Sequence, residues 1–217
     1  MRILVLGGTA FLSAEIVRQA VAAGHRTACL ARGTAGPPPP GAEWIRADRS
    51  LGANTYSGVA GEWDAVIEVA RNPGFARDAL SSLAGRAGHW TFVSSCSVYA
   101  DHSVPGAAED AALLPPLPAG TRSTPENYGE SKVAIEEATL AATAGTSHLC
   151  RAGLIAGPGD ASDRYGYWPA RCARTTAVRD NRPVLVPDID WTPLRRSTSA
   201  TLPPGSCSPP DKEPPAP

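Results

Sequence analysis

"RILVLGGTAFLS", residues 2–13, runs from an apolar stretch through a glycine pair into a helical pattern. A short apolar run without polar alternation, ended by glycine, reads as a parallel strand buried on both faces. Behind it Ile16, Val17, Ala20 and Val21 recur at helical spacing, with Ser13 placed to cap the helix and Gly24 to end it. Residues 27–31, "TACLA", read as a second strand. The first thirty residues therefore spell strand, glycine loop, helix, strand.

The alternation continues along the chain. "EWIRAD" (43–48) is a weak third strand and "DAVIEVA" (64–70) a strong fourth. "FARDALSSLAGRAG" (75–88) has a helical pattern, and "HWTFVSS" (89–95) is a fifth strand. "NYGESKVAIEEATLAATAG" (127–145) predicts a long helix with an acidic outer face, and "SHLCRAGLIAGPGD" (147–160) a sixth strand ending in a glycine-proline loop. Strands alternating with helices imply an α/β protein, a doubly wound parallel sheet covered on both faces. After "WPARCARTTAVRDNRPVLVPD" (168–188), which has room for one more helix and a short strand, the pattern stops. The expected organisation is a nucleotide-binding domain over 1–187 and a disordered Pro/Ser-rich tail over 188–217.

Bulk properties narrow the function classes. With 217 residues, 42% hydrophobic and 19% charged, the chain can form one packed α/β domain. A net charge of −1 gives no electrostatic case for nucleic acid or an anionic membrane as partner. The cysteines Cys29, Cys96, Cys150, Cys172 and Cys207 have no C-x-x-C or His/Cys metal spacing, and three of them lie in apolar runs, as small buried hydrophobes do. With no signal-peptide pattern or membrane-length run, a reduced, cytoplasmic protein without a metal is expected.

The loop "GGTAFLS" (7–13) is the candidate pyrophosphate cradle, where N–H groups at a helix start and the helix dipole attract an anion. Gly7 serves the tight turn. Thr9, Ala10, Phe11 and Leu12 would line the phosphates, Ala10 intruding by one methyl group, and Ser13 stands where a glycine would ease helix–strand packing. At the end of the second strand an acid would bind the 2′-hydroxyl of NAD, whereas an arginine suits the 2′-phosphate of NADP. The chain has Ala31-Arg32. Arg32 is thus read as the 2′-phosphate ligand, the alternative being a solvated charge, and the cofactor as NADP, with NAD the alternative. Asp48 is placed either to accept from the adenine amino group or simply to form a turn.

Chemistry concentrates in two further stretches. "FVSSCSVYA" (92–100) is a strand running into hydroxyls, and "NYGESK" (127–132) sets Tyr128 and Lys132 four positions apart on one helical face. A phenol with its ordinary pKa near 10 is a poor base at neutral pH. A lysine ammonium and a positive nicotinamide ring nearby favour the phenolate, which can exchange a proton with a substrate hydroxyl as hydride moves. Ser95, at the carboxyl edge of the sheet, is placed to hold the substrate oxygen.

"GGTAFLS", "FVSSCSVY", "NYGESK" and "RAGLIAGPGD", in that order, resemble the NAD(P)-dependent epimerase/dehydratase branch of the short-chain dehydrogenase/reductases, over roughly residues 1–187. The resemblance implies Ser95, Tyr128 and Lys132 as a catalytic trio, Ser95 being chosen over Ser94 and Ser97 because it lies four residues before Tyr99, as in the family's S-x-x-V-Y. It also implies cofactor contacts from Ser94, from Val69, Ala70 and Arg71 after the fourth strand, and from Ala152, Gly153 and Ile155 beyond Arg151. Ala10 and Ser13 replace family glycines, and the substrate-binding region that follows the sixth strand in extended members is reduced to a remnant, as a frameshift or stop near Asp188 would leave it. The implied activity is that of an oxidoreductase or epimerase acting on a small hydroxyl- or carbonyl-bearing metabolite, nucleotide-linked sugars among them, with a homodimer allowed. The competing readings are a non-catalytic nucleotide-binding regulator, an RNA-binding relative and an inactive fragment.

Overall fold

The computed structural model describes residues 1–104, 106–160, 162, 166 and 170, and the backbone of 196–198. Six strands form one parallel sheet: β1 (Arg2–Leu6), β2 (Arg26–Ala31), β3 (Glu43–Arg46), β4 (Ala65–Glu68), β5 (Trp90–Ser95) and β6 (Ser147–Ala152). Their spatial order is β3-β2-β1-β4-β5-β6, so the chain winds outward from β1 in one direction and then restarts beside it in the other. The register runs Ile3 to Thr27 on one flank of β1 and Ile3 to Ala65 on the other. The reversal of direction between β1 and β4 opens a crevice at the carboxyl edge, where sheets of this kind bind ligands.

Alternation along β1 explains the two layers. Leu4 and Leu6 face a core shared with Tyr56, Leu80, Leu83, Phe92 and Ile135, beneath α2 (Pro73–Leu83) and α3 (Tyr128–Thr143). Ile3 and Val5 face the opposite layer, packing with Val17, Ala20 and Cys29 beneath α1 (Phe11–Ala22). Each fully buried Leu or Val contributes about 1.5–3 kcal/mol, and a strand buried on both faces has no room for polar alternation.

Several boundaries differ from the sequence expectation. α1 begins at Phe11 with Ala10 at its cap, and Ser13 lies inside the first turn. The Ser13 hydroxyl donates towards the carbonyls of Gly7 (2.8 Å) and Ala10 (3.0 Å), so it ties the loop down and does not cap the helix. α2 starts two residues before Phe75 because Asn72 accepts from the Gly74 N–H at 2.8 Å and Pro73 takes the first helical position. The expected sixth strand is two: β6 stops at Ala152, and after Gly153 a separate β7 (Leu154–Ala156) pairs in parallel with β8 (Arg196–Thr198). β8 falls within the segment expected to be a tail. The rest of 188–217, and the helix and strand expected over 168–188 apart from Ala170, lie outside the described residues.

Gly8 records how closely the layers approach. A Cβ there would stand 2.6 Å from Cys29 Sγ and 3.0 Å from Val17 Cγ2, both in the buried α1 layer. Gly8→Ala is therefore expected to lower unfolding stability by about 1–3 kcal/mol, the cost of overpacking, as measured by urea denaturation. Adding Cys29→Ala should recover part of that loss. A single-variant change within about 0.5 kcal/mol would contradict the close packing.

Candidate active site

The glycine loop sits where β1 delivers it. Gly7 has φ +95°, which L side chains rarely adopt, and its N–H donates to the Leu30 carbonyl at 2.8 Å, anchoring the loop to the end of β2. Thr9 N–H closes a tight turn onto the Gly7 carbonyl at 2.7 Å. The first turn of α1, Phe11 and Leu12 included, carries no acidic residue, and Ala10 offers its N–H groups no side-chain acceptor. A helix start left in this way suits an anion. The residues present fit a dinucleotide pyrophosphate.

Arg32 and Asp48 converge at the far end of the edge. Their side chains, both exposed, approach to 3.9 Å. Asp48 Oδ1 also accepts from the Ser50 N–H at 2.9 Å, and that bond, followed by the charge of Arg32, holds the carboxyl below its usual pKa. Trp44 buttresses this corner: its indole N–H donates to the Ala31 carbonyl at 3.0 Å, and only the absence of a side chain at Gly33 makes room for its ring.

At the near end, Lys132 is buried, and its Nζ donates to the Ala70 and Val93 carbonyls, each at 2.8 Å. The ammonium lies 4.6 Å from the Phe92 ring centroid and 5.7 Å from that of Tyr128, and the Arg71 guanidinium stands 6.0 Å from the Tyr128 ring. Burial pushes the Lys132 pKa down to about 8 against the pull of Glu68. Tyr128, Lys132, Ala70 and Arg71 are thus brought together. Val69 is beside them, its Cγ2 3.5 Å from where a Gly7 side chain would be, which joins this end to the glycine loop.

Ser95 ends β5 directly across from Ala152 at the end of β6. Its hydroxyl donates to Ser97 Oγ at 3.0 Å and accepts from the Ser97 N–H at 3.1 Å. The short 3-10 turn of residues 96–98 packs on the first turn of α3 so tightly that a Cβ at Gly129 would lie 2.4 Å from the Ser97 carbonyl. The strand-end serines and the Tyr128 turn are therefore locked together by a glycine. Gly153 and Ile155 follow Ala152 at the junction of β6 and β7, so the residues read as nicotinamide contacts continue out of the main sheet.

Ser94 differs from its neighbour. Its hydroxyl is buried and donates to Glu136 Oε1 at 2.5 Å, turned towards α3. On the helix read as having an acidic outer face, Glu137 is exposed whereas Glu136 is buried and accepts bonds from Arg151 Nε at 3.1 and 3.2 Å and from Nη2 at 2.8 Å. Arg151 also donates to the Tyr99 hydroxyl and the Glu109 carbonyl. This cluster joins α3, β5 and β6, and sequence reading missed it. The available signal was Glu136 four residues beyond Lys132, hence on the same helical face.

No protein-family model and no curated protein matches the chain. Solved structures do. A UDP-galactose 4-epimerase aligns at 21% identity and a TM-score of 0.61, over 73% of this chain and 58% of its own. A UDP-N-acetylglucosamine 4-epimerase from Bacillus cereus aligns at 20% and 0.56, over 72% and 57%. An NAD-dependent NDP-hexosamine 5,6-dehydratase, TunA, involved in tunicamycin biosynthesis, aligns at 22% and 0.59, over 81% and 61%. This is the Rossmann fold. The chain spans about three-fifths of the length of these structures. Among the described residues of the Rossmann domain, no helix is long and apolar enough to cross a membrane, and no three His, Cys, Asp or Glu side chains gather as a metal site.

Removing one partner of the Glu136–Arg151 pair leaves a largely buried charge without compensation. Glu136→Ala is expected to cost about 3 kcal/mol of stability in urea denaturation, and a loss below about 1 kcal/mol would show that the pair behaves as a solvated one.

Proposed function

We propose that the Rossmann domain binds a nicotinamide dinucleotide along the carboxyl edge of its sheet and serves an oxidoreductase or epimerase reaction on a small hydroxyl- or carbonyl-bearing metabolite, nucleotide-linked sugars being the favoured class. The carrying observation is Lys132: an ammonium held by one carbonyl just past β4 and one within β5, one helical turn from Tyr128 and 5.7 Å from its ring. A structural lysine would be expected to reach solvent or a carboxylate.

When bound, the nicotinamide supplies hydride transfer. The chain's own residues handle the proton and the charge. Tyr128 exchanges a proton with the substrate hydroxyl through its phenol oxygen. Lys132, charged at neutral pH with a pKa of about 8, and Arg71 stabilise negative charge developing on that oxygen. Ser95 positions the substrate oxygen with its hydroxyl, which Ser97 orients. The sugar-nucleotide class is supported by the structures that share the fold, among them a UDP-galactose 4-epimerase and WbmG in complex with NAD and UDP. Several of those proteins depend on NAD or hold it. In this chain no acid ends β2, and Arg32 stands at that place, which favours NADP.

Two measurements test this reading. Fluorescence titration should show NADPH binding about tenfold tighter than NADH, the size of one charge-assisted hydrogen bond, and Arg32→Asp should reverse the order. Equal affinities would remove Arg32 from the site. In assays of UDP-sugar epimerisation or reduction, Tyr128→Phe should lower kcat by at least about 100-fold while cofactor affinity stays nearly constant. An unchanged kcat would remove Tyr128 from the chemistry.

A further inference from the structure

A second buried ion pair lies beneath the proposed cleft. Glu68, the last residue of β4, is fully buried, and Arg49 opens the 3-10 segment Arg49–Tyr56. Arg49 Nη1 donates to Glu68 Oε1 at 2.9 Å and Nη2 to Oε2 at 2.5 Å. Nη2 also donates to the Phe75 carbonyl and Nε to the Tyr56 hydroxyl, both at 2.8 Å. Glu68 Oε1 then takes one more bond, from the Ala70 N–H at 2.8 Å. Ala70 lies beyond the β1–β4 ladder, which ends at Glu68, and its carbonyl is one of the two that hold Lys132. Carboxylate and ammonium thus grip the two sides of a single loop residue.

Such a pair is weak evidence of stabilisation, since apolar residues of the same volume usually serve as well. Its geometry points elsewhere. We propose that the Arg49–Glu68 pair is a positioning unit for Lys132, Glu68 fixing Ala70 through its N–H and acting as a counter-charge to the buried ammonium while Arg49 holds the carboxylate in place. The importance of Lys132 rests on the reading above; the link from Glu68 to Lys132 stands on its own geometry.

The charged and titratable groups facing Lys132 come from three elements. Glu68 projects from β4, Arg71 from the loop before α2, and Glu136 and Tyr128 from α3 itself, while β5 offers the Phe92 ring and the Val93 carbonyl. Burial pulls the Lys132 pKa down, with Arg71 in the same direction, and the two carboxylates oppose them. Each carboxylate is in turn held by an arginine, Arg49 or Arg151. Neutralising Glu68 while Arg49 keeps its charge therefore makes the ammonium harder to keep. The midpoint must fall.

Lys132 and Lys212 are the only lysines of the sequence, so protein labelled with 15Nζ-lysine gives two side-chain signals, and a Lys212→Arg variant assigns them. In the unaltered chain Lys132 should titrate near 8, below the ordinary lysine value of about 10.4. In Glu68→Gln its midpoint should fall by about one unit or more. A midpoint that does not move, or that rises towards the ordinary lysine value as water enters a loosened core, overturns the proposal. A second readout needs no variant: Ala70 N–H, bonded to a buried carboxylate, should exchange with deuterium as slowly as Val66 N–H in the β4 ladder. Exchange at the rate of an open loop overturns the proposal equally. Neither readout involves nucleotide or turnover, so failure here is distinguishable from failure of the functional reading.

Discussion

A buried ammonium must be given partners or lose its proton, and the placement of Lys132 between the Ala70 and Val93 carbonyls settles much of this molecule. Those two carbonyls belong to the β4 exit and to β5, so one side chain pins α3 to two neighbouring strands at the carboxyl edge. Once α3 is fixed there, its preceding turn brings Tyr128 to the cleft and its following turn brings Glu136 under Ser94 and Arg151. The helix pays a compositional toll. Ser131, Lys132, Glu136, Thr139 and Thr143 are all buried, and the two threonines return their hydroxyls to carbonyls one turn back.

The centre of the cleft is built by close approach rather than by charge. Gly8 lets Val17 of α1 and Cys29 of β2 close on the loop, and Gly7 turns the loop through a conformation that other residues resist. The loop departs from the familiar glycine pattern at Ala10 and Ser13, yet both departures are accommodated locally. Ala10 caps without a side-chain acceptor, leaving the first-turn N–H groups for an anion, and Ser13 binds the carbonyls that close the turn. The cleft therefore has a neutral, N–H-lined cradle at its centre and a Lys/Tyr pair on one side. On the other side Arg32 and Asp48 stand close together.

The sheet was legible because β1, β2, β4 and β5 are dominated by apolar residues, a direct consequence of burial on both faces, and because each βα turn carries glycine or a helix signal. Tyr128 and Lys132 were legible from their spacing and from the Ser-Ser strand end before them. What escaped was the pairing of charges that only the fold brings together. Glu68 sits in "VIEV" like any strand residue, and nothing local marks Arg49, nineteen positions earlier, as its partner. Glu136 escaped because a charge pattern assigns acids to solvent, whereas Arg151, from β6, pairs with this one in the interior. Apolar residues continue on both sides of Gly153, so that glycine alone marked the switch to a second, two-stranded sheet.

Everything proposed for this chain needs the carboxyl edge between β1 and β4 to take a dinucleotide, from the Arg32 corner to Tyr128. Amide chemical-shift mapping by NMR, with NADP added to the 15N-labelled chain, decides this. Saturable shifts are expected only in the Gly7–Leu12 loop, Arg32, Val69–Arg71, the Ser95 strand end and the first turn of α3. Saturable shifts located elsewhere, or none at millimolar NADP, would rule the dinucleotide site out.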